Sequence, residues 1–538
     1  MATKKRKAAT EPRAVTVRGK SGRGVKSAAF SFGATTLSLA AASGPPMPQV
    51  PRPSPTRYPI DLEMFAALKS KAIAAKPMPK RGVEVVADAK TKRTELPSMT
   101  AIASPAATAP TPTLSAVASF AGAAQSGSTP WDATIAVGPQ HVVGAINTSI
   151  TIYTRTGAVL QHRTLPAWFE NVVKDVKLFD PQLAYDQFEG RWVLVAMALG
   201  ANPNRSFLLL SCSESADPLG RWRNFAFDAS KDGTTATDNW ADYPGLGLDA
   251  HNLYITMNMF RFGGNFQYSK LRVIPKRGPY TSTTVSFTDF ARLRNDDDTP
   301  AFTVQPAHTF GAPGVQYFVN TMFTTTARPT QRTLTLWTLR DPAGTPRLSR
   351  TSLTITPYSM PPDAEQKDGG SPLDTGDNRV LKAVYSGGSL WCTFTTRHNW
   401  GAAGNAAALQ WVQVRVSEQR VLQQGIFGLA GAHYYFPSLM PDVNGNAIVV
   451  FCRSHKNEFP SIYFTGRHAT DPAGQLRPST LVKLGLANYS VIGSAGRNRW
   501  GDYCGCALDP ADSRTVWVHA GHAATPLSWA TWIGAGRF

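Results

Sequence analysis

Long apolar runs are missing from this 538-residue chain. No window offers about 18 consecutive apolar residues, so nothing in it reads as a transmembrane helix. Cysteine is scarce. Cys212, Cys392, Cys452, Cys504 and Cys506 are too few, and odd in number, for a disulfide framework. Cys504 and Cys506 project from one face of a predicted strand, a poor spacing for an unstrained bridge, and all five read as small hydrophobes of inner strands. Motif-borne catalysis is missing too: there is no Gly-x-Ser-x-Gly elbow, no His-Glu-x-x-His, no phosphate-cradling glycine loop and no paired cysteines at zinc spacing.

Acid is in short supply, and unevenly so. Against 36 Asp and Glu stand 55 Lys and Arg, a net charge of +19. The first 100 residues carry 19 bases but only six acids (Glu11, Asp61, Glu63, Glu84, Asp88, Glu95). A basic, Pro/Ala/Ser-rich stretch with few aromatics buries too little apolar surface to fold, so residues 1 to about 115 read as a mostly disordered tail. One short helix is expected at 61–75, capped by Asp61, with Leu62, Phe65, Leu68 and Ile73 near one another on one face. Lys4-Lys5-Arg6-Lys7 reads as solvated tail rather than a nucleic-acid site. Residues 1–43 also carry a weak export pattern: a basic stretch to Lys26, a diluted apolar region from Ala28 to Leu39, and small residues at Ala40–Ser43.

What the remainder does have is repetition. An acidic or aromatic-flanked opening leads into a short apolar strand, then a turn rich in Gly, Asp or Asn, then a second apolar strand with a polar end. The phrase runs Trp131–Asn147, Asp180–Ala196 and Asp242–Asn258, with altered copies at Val304–Asn320, Asn378–His398, Phe436–His455 and Asp502–His522. Copies about 50 to 75 residues apart match a blade of four antiparallel strands. The expected fold is therefore all-β: a single β-propeller over residues 118–538, seven-bladed with six as the alternative. Its last strand, around Thr531–Arg537, should pair near the segment before Trp131 and cover the terminal edges. Turns are expected at Asp186–Gly190, Asp249–Asn252, Ser386–Ser389, Asp442–Asn446 and Asp509–Ser513. Small residues such as Gly245, Gly247, Gly505 and Ala507 mark the first strand of a repeat as innermost.

Antiparallel hairpins place the start of a first strand beside the end of a second. Asp132, Asp180, Asp242 and Asp502 open first strands, while Asn147, Asn258, Asn320, His398, His455 and His522 end second ones. All should surround one mouth of the central channel, a default place for a ligand or a cation such as calcium. Tyr243, Tyr503, Trp131 and Trp240 would offer stacking faces there. The competing structural reading has the same aspartates lock blades by binding backbone amides or an arginine, Arg499 or Arg379. Asp442-Val-Asn444-Gly-Asn446 is a candidate calcium loop, set against a plain hairpin turn, since no bidentate carboxylate follows.

Phe459-Pro-Ser-Ile-Tyr-Phe-Thr-Gly-Arg467, Asp471-Pro472, Arg499-Trp-Gly-Asp-Tyr503, Asp509-Pro510 and Trp517 together resemble the C-terminal signature of a largely uncharacterised family of bacterial secreted, sialidase-like propellers. Val137-Gly138-Pro139, Asn147-Thr148-Ser149, Asp180-Pro181, Tyr185-Asp186, Arg191-Trp192, Asp242-Tyr243-Pro244 and Thr531-Trp-Ile-Gly534 fit it as well, over roughly residues 125–538. The resemblance implies a secreted or cell-surface setting with adhesion-type partners, although the usual clear signal peptide is missing and a cytoplasmic setting stays open. Where the family carries Asn-Glu-Tyr, this chain has Ala520-Gly521-His522, which removes a carboxylate and puts shared catalysis in doubt. Two functions stand: a non-catalytic propeller binding a glycan, peptide or protein partner through the rim, and a sialidase-like glycoside hydrolase using rim aspartates, which would need two carboxylates flanking the cleaved bond.

Overall fold

Five sheets of four or five strands stand as separate blades of a β-propeller arrangement, and a ten-stranded sheet completes it. The structure, a computed structural model, describes residues 113–125, 130–200, 204–324, 328–342, 344–493 and 496–538. It also describes the backbone of three short strands, Ala28–Ala29, Thr35–Ala40 and Ala42–Ser43. The expected helix at 61–75, and the tail and export readings apart from these strands, lie outside the described residues. Among the described residues helix is almost absent, limited to short pieces such as Leu165–Phe169 and Arg277–Thr281. No described helix is long and apolar enough to cross a membrane.

Each blade is an antiparallel meander. The pattern is plainest at 134–164, whose four strands follow chain order, and recurs at 177–228, 305–359 and 432–483. In the ten-stranded sheet, meanders at 239–290 and 380–427 are joined by the two-residue strand His308–Thr309, which pairs in parallel with both. The expected closure is present: Ser528–Arg537 pairs antiparallel with Ser115–Ala124, a segment from before Trp131 that supplies the outer strand of the last sheet. The three short strands lie on outer strands, pairing Ala28–Ala29 with Arg347–Ser359, Thr35–Ala40 with Thr284–Phe290, and Ala42–Ser43 with Trp222–Asp228. All five anticipated turns fall between paired strands.

First strands are indeed innermost and crowded. A Cβ on Gly247 would lie 2.5 Å from the Ala307 carbonyl oxygen, and one on Gly505 2.8 Å from the Ile135 nitrogen, each on another blade. Only a residue without a side chain lets the backbones approach so closely. All five cysteines are free and buried, Cys506 on such a first strand and Cys212, Cys392 and Cys452 on second or third strands. At the same level the chain bends. Asp132, Asp180, Tyr243, Thr303 and Phe436 have φ between 44° and 54°, and the pairing slips beside Asp180, Tyr243 and Phe436. A left-handed, non-glycine residue costs about 1–2 kcal/mol, so each must be held by its surroundings.

Candidate functional site

The holding groups come from the neighbouring blade. Asn147 Oδ1 accepts the Asp180 N–H at 2.7 Å, Asn258 Oδ1 accepts the Thr303 N–H at 2.8 Å, and Thr395 Oγ1 accepts the Phe436 N–H at 3.2 Å. In each case a polar residue near the end of one blade's second strand caps the left-handed residue that opens the next. Strand grammar places Asn147 and Asn258 at the right level but picks His398 where Thr395 is the capping residue. Their partner is the adjacent backbone.

The aspartates expected at the channel mouth are brought to one region, but it is filled. Asp132 and Asp180 are fully buried and Asp242 is 8% exposed. Asp132 accepts from Asn147 Nδ2 at 2.5 Å and from the Asp502 N–H at 2.8 Å, closing the last blade onto the first. Asp242 pairs in register with Asn258. Both Asp502 carboxylate oxygens accept from Arg499 Nη2, at 2.7 and 2.8 Å, and Arg499 Nε lies 3.8 Å from Asp374. Arg379 grips Asp377 through two 2.6 Å bonds and lies over the rings of Tyr243 and Phe302. Burial works against charge on both arginines, yet the carboxylates beside them outweigh it and hold both above the ordinary guanidinium pKa.

Tyr243 and Tyr503 belong to sheets that are not neighbours, and they meet edge to face at 5.8 Å, while the Tyr503 hydroxyl donates to the Pro181 carbonyl at 2.8 Å. Such a contact spans the axis, so these rings plug the channel at this end. Burial raises both phenols well above their usual pKa. The expectation of exposed stacking faces is corrected here: Trp131, Trp240, Tyr243 and Tyr503 are at most 6% exposed, because they supply the core of this plug and of the adjoining blades.

The histidines find other partners. His398 packs edge-on against Trp400 at 4.4 Å, His455 Nδ1 accepts the Asn457 N–H at 3.3 Å, and buried His522 lies 6.4 Å from Trp532. In the candidate calcium loop, the Asp442 oxygens accept from the Asn444 N–H, the Asn446 N–H and Asn446 Nδ2, all at 2.8–2.9 Å. That is the geometry of a hairpin turn stabilised from within. Among the described residues, no group of three His, Cys, Asp or Glu could hold a metal ion.

An open cleft lies on the same face, over the 239–290 meander. Its volume is about 500 Å³, and Asp232, Thr235, Thr237, Asn239, Arg261, Gln267, Tyr268 and Arg292 line it. It is built from the start of Asn239–Leu248, the end of Asn252–Arg261, the start of Phe266–Pro275, the turn after Thr284–Phe290 and the small hairpin Lys231–Asp232/Thr235–Ala236. Tyr268 donates to Asp232 at 2.7 Å, and Asp232 lies 3.3 Å from Lys270 Nζ, which also donates to the carbonyls of Ala229 and Lys231. The wall is thereby fixed. Burial, then the Asp232 hydrogen bond, raises the Tyr268 pKa strongly, so the phenol stays protonated. Arg261 and Arg292 are exposed, and neither is paired with a carboxylate among the described residues. Arg292, in the left-handed region at φ 57°, lies 4.8 Å from the Tyr268 ring. The arginines sit at strand ends with no motif around them.

No protein-family model matches the chain, and no curated protein does either. Solved structures resemble it only distantly and at very low identity. A Dyadobacter fermentans protein of unknown function is 11% identical, with a TM-score of 0.40, 68% of this chain and 96% of that one being covered. A Fusarium graminearum GH93 α-L-arabinofuranosidase is 8% identical, with a TM-score of 0.35 and coverage of 78% and 98%. A Trypanosoma rangeli sialidase is 9% identical, with a TM-score of 0.36 and coverage of 74% and 59%. Likeness at this level carries no argument about what this chain binds or cleaves.

Proposed function

We propose that the chain is a non-catalytic recognition propeller that binds an acidic, oxygen-rich ligand, of which an acidic glycan is the best fit, in the cleft over the 239–290 meander. The observation that carries the reading is the pair of exposed guanidinium groups, Arg261 and Arg292, neither paired with a carboxylate among the described residues, in an open cleft whose other polar lining is amides, hydroxyls and the carboxylates of Asp232 and Asp238, the first of them already held by Tyr268 and Lys270. Guanidinium recognises carboxylate through two parallel hydrogen bonds, and the neutral donors around it match sugar hydroxyls. The central aspartates serve as blade struts in this reading, because Asp132 and Asp502 are spent on amide and guanidinium partners.

Counting the two meanders of the ten-stranded sheet separately, we read seven blades over residues 115–538, with the 115–124 strand as the closing piece. A secreted or cell-surface setting suits such a module. The hydrolase alternative needs two carboxylates flanking a substrate, and the cleft offers Asp232 and Asp238. Asp232, however, is already engaged by Tyr268 and Lys270.

A glycan array read beside a broad glycosidase screen tests the assignment. Binding of acidic glycans that falls at least tenfold in Arg261→Ala/Arg292→Ala, with no turnover, supports it. Turnover that is lost in Asp238→Asn would replace it with the hydrolase.

A further inference from the structure

The other half of the axial channel holds a second site. Beyond the tyrosine plug lies a cavity of about 160 Å³ whose lining comes from the inner strands of several blades, among them Tyr185, Gln187, His308, Lys382, Met440 and Cys506. Lys382 follows a slip in the pairing between Val380–Ser386 and Ser389–Asn399, where the chain steps by one residue. Its ammonium has no hydrogen-bond or ion-pair partner among the described residues, and no carboxylate lines the cavity.

The neighbours that could carry charge do not balance it. Cys506 is the nearest candidate counterion, but burial pushes its thiol up to about 11, and it donates to the Ser438 carbonyl at 3.3 Å, so it stays a thiol. His308 is driven down to about 3 by burial, then by Lys382 and Lys276, and stays neutral. Its Nε2 donates to Gln187 Oε1 at 3.0 Å, an assignment that follows because the Gln187 amide is itself spent on the Thr309 carbonyl at 2.9 Å. Burial raises the Tyr185 phenol. Lys276, farther off, is already paired with Asp186 at 2.6 Å. An ammonium in such a setting is costly unless a counterion joins it.

We propose that the axial cavity binds a small monovalent anion, a carboxylate of acetate or formate size, against the ammonium of Lys382. The volume, about 160 Å³, accommodates an anion of acetate size and suits it better than a bulkier sugar acid. The site is separate from the cleft of Arg261 and Arg292, so either can fail alone. Burial lowers the Lys382 pKa. A bound carboxylate favours the ammonium, so occupancy is lost as pH rises through the lysine's titration.

Acetate titration of the full chain, at constant ionic strength balanced with gluconate, tests this by thermal unfolding. A saturable rise in Tm with acetate but not with gluconate is expected, weakening as pH rises and absent in Lys382→Met. An equal rise in Lys382→Met, or no rise in the wild type, overturns the proposal. Should that variant not fold, Lys382→Gln replaces it, and saturation-transfer NMR of acetate on the wild type gives a direct reading. No transfer at any acetate concentration then also overturns it.

Discussion

Asn147 stands between two buried aspartates: its Oδ1 accepts the backbone N–H of Asp180 at 2.7 Å while its Nδ2 donates to the Asp132 carboxylate at 2.5 Å. One amide thus caps the left-handed start of the next blade and holds the carboxylate that receives the Asp502 N–H from the last sheet. Replacing it leaves donors and acceptors stranded where water cannot reach. Asn147→Ala should cost about 2–4 kcal/mol, one to two unmade buried hydrogen bonds. Asn147→Asp should cost more, since it sets a carboxylate against Asp132 and removes the donor. Urea denaturation ranks the two. A loss under about 1 kcal/mol in both would show that the cap is dispensable.

Arg499 and Asp502 form the second strut. Both are largely shielded, and Arg499 also faces Asp374. Removing one member of a buried pair leaves the other uncompensated, so Arg499→Met should destabilise by about 3–5 kcal/mol. In Arg499→Met/Asp502→Asn much of that cost should be relieved, giving a coupling of about 1–3 kcal/mol in a double-mutant cycle. Glycan binding at the cleft should survive in whatever fraction remains folded. Additive losses would mean that the pair does not act as a unit.

How much of this was readable beforehand divides by range. Turns are local, and Asp186–Gly190 or Asp442–Asn446 carry their own chemistry, so hairpins and strand order could be placed from neighbouring residues. The level of Asp132, Asp180 and Asp502 along the blades followed from antiparallel pairing. What lay out of reach was contact across the axis. That Tyr243 meets Tyr503, 260 positions away, or that Arg379 lies over Tyr243, depends on how sheets converge. The same residues therefore looked like an open rim and proved to be its filling. Arg261 and Arg292 lay equally out of reach, since strand ends bring them together and no spacing pattern marks them.

Closure supplies a third prediction. Ser115–Ala124 covers Ser528–Arg537, an edge that would otherwise expose unpaired backbone. A chain beginning at residue 113 should unfold within a few degrees of the full chain, since the three short strands before it add little on outer edges. One beginning at residue 126 should lose far more, with aggregation. Calorimetry of the two separates them, and equal melting temperatures would refute the closing role.

Acid sensitivity provides the last. His519 is 1% exposed, with Nδ1 at 2.9 Å from the Thr134 carbonyl and Nε2 at 2.9 Å from Thr531 Oγ1. Burial lowers its pKa to about 4, against about 6.5 unfolded, so between these values the unfolded chain binds the extra proton. The sign is then fixed: stability is full above about pH 6.5 and falls as pH drops toward 4. His519 alone contributes on the order of 2–3 kcal/mol to that fall, and His433 and His522, each also lowered to about 4 by burial, act in the same direction. Because its two ring nitrogens join the 134–164 blade to the closing sheet, His519→Gln should lower stability at pH 7 yet flatten the slope between pH 6.5 and 4. Urea midpoints measured across that window in both proteins give the comparison, and an unchanged slope would remove His519 as a source of the acid sensitivity.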